Sequence, residues 1–137
     1  MDTQQADSRQ ALVLIVDDEH ALRRLASEVL TRAGFTIVTA NDGEEAVALV
    51  RRGGLQFDAV LLDMSMPNLS GADACRQIKE LAPTLPVVLT SGYQEEDSAL
   101  LAESGAAAAF VQKPFLPKLL VETMRSAVSG SASAVRR

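Results

Sequence analysis

The amino-acid sequence predicts a doubly wound α/β domain, in which helices cover both faces of a mainly parallel, five-stranded sheet. Five short apolar runs alternate along the chain with amphipathic segments of helical period, and the connections between them are short. Apolar runs of this length are typical of strands buried on both faces, as in parallel sheets. Regular alternation of strand and helix favours βαβ units, whose right-handed crossovers place helices on both faces of the sheet.

The predicted elements follow one another in a regular order. Strands are predicted at residues 12–16, 35–40, 59–62, 87–90 and 107–112. Helices are predicted at residues 20–33, 44–52, 72–81, 94–104 and 117–128. We expect residues 11–128 to form one domain between a disordered tail, residues 1–10, and a flexible tail or severed linker, residues 129–137.

Composition excludes several classes of protein. The 137 residues are 47% hydrophobic and 23% charged, which suits one globular domain with a sizeable core. A net charge of -5 without a basic stripe argues against direct nucleic-acid binding. The single Cys75 cannot form an internal disulfide, and no signal peptide or membrane segment is apparent, so we expect a cytoplasmic protein.

Residues that carry chemistry follow four of the five predicted strands. They are Asp17, Asp18 and Glu19, then Asp63, then Ser91, and finally Lys113. In a flavodoxin-like strand order, 2-1-3-4-5, the carboxyl ends of these strands face one crevice. Each feature alone is more often a turn or a cap, but their recurrence at strand ends predicts a common site.

A cluster of acids at that crevice predicts a magnesium site. Carboxylates about 4 Å apart repel each other by roughly 4 kcal/mol per pair at an effective dielectric constant near 20, so they need a cation or raised pKa values. Oxygen ligands without Cys or His suit Mg²⁺.

With the Lys113 ammonium and a hydroxyl, this set suits phosphoryl transfer, in which a carboxylate attacks phosphorus in line. The chain lacks a Gly-rich nucleotide loop, so ATP is not the expected donor, and His20 is interpreted as a solvent-facing residue at a helix start.

Four motifs resemble those of receiver domains in two-component response regulators, over roughly residues 11–128. The motifs are Val16-Asp17-Asp18-Glu19, Leu62-Asp63-Met64-Ser65-Met66-Pro67, Leu89-Thr90-Ser91-Gly92 and Val111-Gln112-Lys113-Pro114-Phe115. The resemblance implies that Asp63 is the phosphoacceptor and that Asp18 binds Mg²⁺ directly. It also implies that Asp17 acts mainly through water and that the backbone carbonyl of Ser65 completes the ligands.

The resemblance assigns the remaining roles to Ser91, Lys113 and Phe110. Ser91 would hydrogen-bond the phosphoryl group, Lys113 would pair with it, and Phe110 would be the aromatic switch residue. Ser91 is preferred to Thr90 because its interval to the lysine fits the family, which leaves Thr90 as an inward strand residue. Gly105 stands one residue farther from the lysine than in the family, so the connection before Phe110 is expected to contain an extra residue.

These roles imply a phosphorelay component that accepts its phosphoryl group from a sensor histidine kinase or a histidine phosphotransfer protein. Such a domain catalyses only its own phosphorylation and slow dephosphorylation. We expect phosphorylation to change the switch face, defined as the predicted helix 94–104, the strand at Phe110 and the helix after Pro117. A weak homodimer through the same face is also expected. The domain stands alone or belongs to a longer protein, and its motifs resemble those of receivers in hybrid sensor kinases.

Three other functions compete with this interpretation. A haloacid-dehalogenase-type phosphatase also uses an Asp nucleophile, but it has an acid two residues later, where this chain has Ser65. A flavodoxin-like cofactor module should offer hydroxyls and glycine to a phosphate in its first loop, whereas Asp17 and Asp18 would repel one. A receiver fold used only for docking would not need the intact acid set.

Overall fold

The computed structural model describes residues 10–53, 56–66, 68–91 and 107–136, with side chains as far as residue 129. Its strands are β1 (Leu12–Val16), β2 (Thr36–Ala40), β3 (Ala59–Asp63), β4 (Val87–Ser91) and β5 (Ala109–Gln112). All neighbouring strands pair in parallel, in the order β2-β1-β3-β4-β5. The predicted fold class and strand order are therefore confirmed.

Four described helices pack on the two faces of the sheet. They are α1 (His20–Arg32), α2 (Gly43–Arg52), α3 (Gly71–Leu81) and α4 (Pro117–Arg136). One buried cluster joins alternate strand residues, such as Ile15 and Leu61, to α1 and α4, and we call this side the α1/α4 face. The intervening residues, such as Val16 and Leu62, pack against α2 and α3 on the α2/α3 face. This double burial explains the continuous apolar runs of the strands.

Local capping fixes where the helices begin and end. The side chain of Asp42 accepts a hydrogen bond from the N–H of Glu45 at 2.8 Å, at the start of α2. Gly53 ends α2 in the left-handed conformation, with φ of 70°. Ser70 caps α3 by accepting from the N–H of Asp73 at 3.2 Å. These caps set the connections that place β3 and its terminal carboxylate.

Several element ends differ from the predictions. Helix α4 continues to Arg136 rather than ending near residue 128. The added residues are mostly Ala and Ser, which a helix tolerates, and Gly130 costs only about 1 kcal/mol there. The other ends shift by one or two residues, which is the usual uncertainty at element ends.

Some predictions fall outside the part of the chain that the structure describes. These are the tail at residues 1–9, the helix at 94–104, and the roles of Gly92 and Gly105. None of the helices in the described ranges has the length and apolarity that crossing a membrane requires.

Candidate functional site

Three carboxylates meet at the carboxyl ends of β1 and β3. Strand register pairs Val16 on β1 with Leu62 on β3. Asp17 and Asp63 are the next residues along these two strands, so they lie side by side. Oxygen atoms of Asp17, Asp18 and Asp63 lie within 4.8 Å of one another. Asp17 and Asp63 are buried, at 3% and 2% exposure, whereas Asp18 is exposed. The predicted acid cluster is therefore assembled with two members inside the protein and one at the solvent.

The Lys113 ammonium reaches this cluster from the end of β5, the strand at one edge of the sheet. Its Nζ atom lies 3.0 Å from an oxygen of Asp17, 3.3 Å from Asp63 and 3.8 Å from Glu19. The Lys113 backbone N–H donates to the carbonyl of Ser91 at 3.0 Å, which ties the lysine to the end of β4. Because Lys113 follows β5, its side chain must cross the end of β4 to reach Asp63 and Asp17.

Burial and charge shift the pKa values of both partners. Burial, with the nearby Asp17 charge, raises the pKa of Asp63 to about 6, although the Lys113 charge and the N–H of Ser65 act in the opposite direction. Burial would lower the pKa of Lys113, but its hydrogen bonds and charge interactions with Asp17 and Asp63 outweigh burial and raise it. The ammonium is thus held charged, while the carboxylate of Asp63 is insufficiently compensated.

Several hydrogen bonds hold the acidic loop after β1. The Asp17 carboxylate accepts from the N–H of Glu19 at 2.9 Å. The Asp17 carbonyl accepts from Nη1 of Arg23 at 2.7 Å, and Nη2 of Arg23 lies 3.0 Å from Nδ1 of His20. His20 is exposed at the start of α1, as predicted. Arg23 could not be predicted as a site residue from the sequence, because helical spacing does not distinguish it from the neighbouring Arg24.

Gly71 allows the start of α3 to pack against the end of β3. Its N–H donates to the Met64 carbonyl at 3.1 Å. A Cβ atom at this position would lie only 2.4 Å from the Asp63 carbonyl oxygen and 2.5 Å from the Cα of Met64. The loop between them also carries Ser65, whose N–H donates to Oδ1 of Asp63 at 3.3 Å. A glycine is therefore required at position 71 for this placement of Asp63, while the role of the Ser65 carbonyl stays a prediction.

Ser91 and Thr90 end β4 on opposite faces of the sheet. Both are buried, at 0% and 1% exposure. Ser91 follows Leu89 on the α2/α3 face, and Leu89 pairs with Phe110, which packs half-buried on that same face. Thr90 pairs with Asp63 and shares its face. Ser91 and Phe110, for which a switching role is predicted, thus share one face, and strand alternation gives Asp63 and Thr90 the other.

The donor set fits a hard divalent cation. In the described part of the chain, the clustered ligands are three carboxylates, a set that suits Mg²⁺ better than softer metals. Among the described residues these carboxylates share the single ammonium of Lys113, so the cluster keeps a net negative charge when all three are ionised. The residues therefore fit the predicted magnesium site.

Comparison with known sequences points to one family. Residues 13–125 match the family model described as the response regulator receiver domain. The chain is 37% identical over 120 residues to the DNA-binding response regulator MtrA of Mycolicibacterium smegmatis, covering 88% of this chain and 51% of that protein. It is 32% identical over 113 residues to the chemotaxis protein CheY of Thermotoga maritima, covering 82% of this chain and 92% of that protein. The chain therefore spans about half the length of the first curated relatives it matches.

Solved structures show the same arrangement of strands and helices. A response regulator receiver domain protein from Clostridium thermocellum superposes with a TM-score of 0.83 at 28% identity, covering 90% of this chain and 98% of that one. The receiver domain of NtrX from Brucella abortus gives a TM-score of 0.77 at 31% identity, covering 85% of this chain and 98% of that one.

Proposed function

Since this chain belongs to the response regulator receiver domain family, we propose that it accepts a phosphoryl group on Asp63 from a phosphohistidine of a partner protein. The donor would be a sensor histidine kinase or a histidine phosphotransfer protein. The observation that carries the proposal is the buried Asp63 carboxylate, which shares the Lys113 ammonium with Asp17 at 3.3 Å and 3.0 Å. The resemblance inferred from the four motifs is confirmed, and family membership disfavours the phosphatase and flavodoxin-like alternatives.

The reaction requires an ionised Asp63. One of its carboxylate oxygens attacks phosphorus while the bond from phosphorus to the imidazole nitrogen breaks, and the electron pair of that bond returns to the imidazole. Lys113 is placed to neutralise the oxygens of the transferring group because its ammonium already lies beside Asp63. The same charge favours the ionised carboxylate, against the effect of burial. The chemistry is confined to the domain's own aspartate.

Asp18, Asp17 and Asp63 are the residues that would hold Mg²⁺. When bound, the ion supplies positive charge to the phosphoryl oxygens during transfer. The exposure of Asp18 leaves this side of the cluster open to solvent and to a donor. Arg23 stabilises the loop that carries Asp17 and Asp18 by donating a hydrogen bond to the carbonyl of Asp17.

Signal output would begin at Ser91. Its hydroxyl would hydrogen-bond the new phosphoryl group, which moves the end of β4 and changes the space open to Phe110. The proposal is supported by the shared face of Ser91 and Phe110, which places the ring next to the strand that moves. A shift from roughly 1% to 99% of the active state requires about 5.5 kcal/mol, to which charge-assisted hydrogen bonds and a buried ring would both contribute. The changed surface is the switch face, and a weak homodimer would form through it.

Intact-protein mass measurement with acetyl phosphate and Mg²⁺ tests this function. We expect the unmutated protein to gain one alkali-labile phosphoryl group, and Asp63→Asn to gain none. The matched control is Asp58→Asn, at the opposite end of β3, which should be modified as the unmutated protein is. Asp18→Ala should remain folded but lose both Mg²⁺ binding and phosphorylation. Modification of Asp63→Asn at the unmutated rate would show that the phosphoacceptor is another residue.

A further inference from the structure

The Thr90 side chain carries a buried hydroxyl without a hydrogen-bond partner. Thr90 is 1% exposed, and its Oγ1 is the buried side-chain polar atom that lacks a partner in the described ranges of the chain. A buried hydroxyl without a partner destabilises a fold, and most buried polar groups are paired. Valine has nearly the same shape without that cost, and the paired position on β5 is a valine, Val111. The hydroxyl therefore needs an explanation beyond packing.

Strand register places Thr90 directly beside the reacting carboxylate. Thr90 pairs with Asp63 on β3, and paired residues of parallel strands direct their side chains to the same face. Neighbouring strands lie about 4.8 Å apart, so that the two Cβ atoms are separated by about the same distance. The Lys113 side chain crosses the end of β4 on its way to Asp63 and Asp17. Thr90 thus lies on the side of the sheet where the phosphoryl group would be attached.

We propose that the Thr90 hydroxyl is a second hydroxyl donor to the phosphorylated Asp63 side chain, on the face of the sheet opposite to Ser91. The inference rests on the proposed function, because the acceptor that would pair with this hydroxyl is the phosphoryl group added at Asp63, its neighbour in strand register. A phosphoryl group brings three acceptor oxygens into the space that Lys113 and the acids now share. No covalent bond changes in this step, since Thr90 donates a hydrogen bond and keeps its proton. The resting state leaves the donor unsatisfied, and the phosphorylated state satisfies it.

A buried polar group without a partner in one state of a protein is expected where function requires a second state that supplies the partner. Here the cost of the unpartnered hydroxyl falls on the unphosphorylated domain alone. Thr90 would therefore shift the balance toward the phosphorylated form, independently of the switching role of Ser91. It is a positioning residue for the phosphoryl group rather than a nucleophile or a metal ligand.

The test replaces Thr90 with Val and measures binding of beryllofluoride, a phosphoryl mimic, in the presence of Mg²⁺. We expect the dissociation constant for beryllofluoride to rise about five- to tenfold, which corresponds to one lost hydrogen bond. Without beryllofluoride, the melting temperature of Thr90→Val should rise by about 3 °C, because an unpartnered hydroxyl has been removed. With saturating beryllofluoride, that gain should disappear.

Two further variants separate the hydroxyl from general effects of substitution. Thr90→Ser keeps the hydroxyl and should retain most of the beryllofluoride affinity. Thr39→Val makes the same exchange on β2, where the residue is exposed, and should leave the affinity unchanged.

The outcomes distinguish this inference from the proposed function. If the unmutated protein binds no beryllofluoride, the proposed function fails, and this inference fails with it. If it binds, but Thr90→Val binds equally well, the hydroxyl is idle and only this inference fails. A fall in the melting temperature of free Thr90→Val would also overturn the inference, since it would show that the resting hydroxyl already has a partner.

Discussion

Asp58, directly before β3, and Asp63, at the carboxyl end of β3, lie in opposite environments. At the amino end, the carboxylate of Asp58 accepts a hydrogen bond from the N–H of Leu12 at 2.7 Å, and the Asp58 N–H donates to the Leu12 carbonyl at 2.7 Å. At the carboxyl end, Asp63 is buried beside Asp17, and its pKa is raised to about 6. The hydrogen bonds of Asp58 connect the start of β3 to β1. The negative charge of Asp63, in contrast, is repelled by that of Asp17.

From this difference we expect the surroundings of a carboxylate, rather than its residue type, to decide whether it stabilises the domain. Asp58 is exposed and accepts from a backbone donor, so its charge is solvated and its hydrogen bond is satisfied. Asp63 shares the Lys113 ammonium with Asp17, so the negative charge of the two carboxylates is only partly compensated. We therefore expect the carboxyl end of β3 to be electrostatically disfavoured in the metal-free domain, which is the cost of the proposed site.

Gly71 provides the largest expected effect, since it holds the carboxyl end of β3 in place. Gly71→Ala would put a methyl group 2.4 Å from the Asp63 carbonyl oxygen, and neither backbone can move freely. We expect the free energy of unfolding to fall by about 2–3 kcal/mol, measured by urea denaturation, despite the better helix propensity of Ala. Gly43→Ala at the start of α2 is the matched control, since its closest contacts are 3.0 Å or longer, and it should cost less. Equal costs would contradict the bracing role of Gly71.

Asp63→Asn should stabilise the metal-free domain. The substitution removes a buried charge that burial and Asp17 disfavour, although Lys113 loses part of its compensation. We expect the free energy of unfolding at pH 7 to rise by about 1–2 kcal/mol, measured by denaturation in the presence of a chelator. A lower stability of Asp63→Asn would mean that the Lys113 interaction dominates and that the end of β3 is not electrostatically disfavoured.

The stability difference between these two proteins should depend on pH. The pKa of Asp63 is about 6 in the folded protein and 3.8 in the reference state, so the unfolded chain loses its proton first as the pH rises. Between about pH 4 and 6 the unfolded state binds fewer protons, and the stability of the unmutated domain therefore falls relative to Asp63→Asn. The advantage of Asp63→Asn should be near zero at pH 4 and constant above about pH 7. A difference that is flat from pH 4 to 8 would show that the Asp63 pKa is not raised.

Asp58→Asn should have the smallest effect, with the opposite sign. An amide can still accept from the N–H of Leu12, but the charge-assisted part of that hydrogen bond is lost. We expect the free energy of unfolding to fall by about 0.5–1 kcal/mol, measured by urea denaturation at pH 7. If Asp58→Asn stabilises the domain as Asp63→Asn does, the contrast between the two ends of β3 is wrong.

Much of the fold could be predicted because the apolar runs, the helical periods and the short connections all indicated the same order of strands and helices. The apolar runs of β1, β3 and β4 are buried on both faces, so their composition alone identified them as strands of a parallel sheet. Helix ends were harder to predict, because the Ala- and Ser-rich end of α4 has no strong stop signal and continues to Arg136. The acids, Ser91 and Lys113 were predicted from their positions after strands, where a parallel sheet brings separate segments together, whereas Ser65 and Phe110 were predicted only from the family resemblance.

The sequence by itself determined which groups follow the strands, since the apolar pattern marks the strand ends, and the order 2-1-3-4-5 was predicted from the flavodoxin-like fold class. Only the tertiary structure decided how those groups interact. Asp17 and Asp18 are adjacent and chemically identical, yet one is buried against Lys113 and the other is exposed. Thr90 and Ser91 carry the same functional group, and the pleat of β4 directs them to opposite faces. Burial, pKa and partner choice depend on what packs across the sheet, and residues distant in sequence provide that environment.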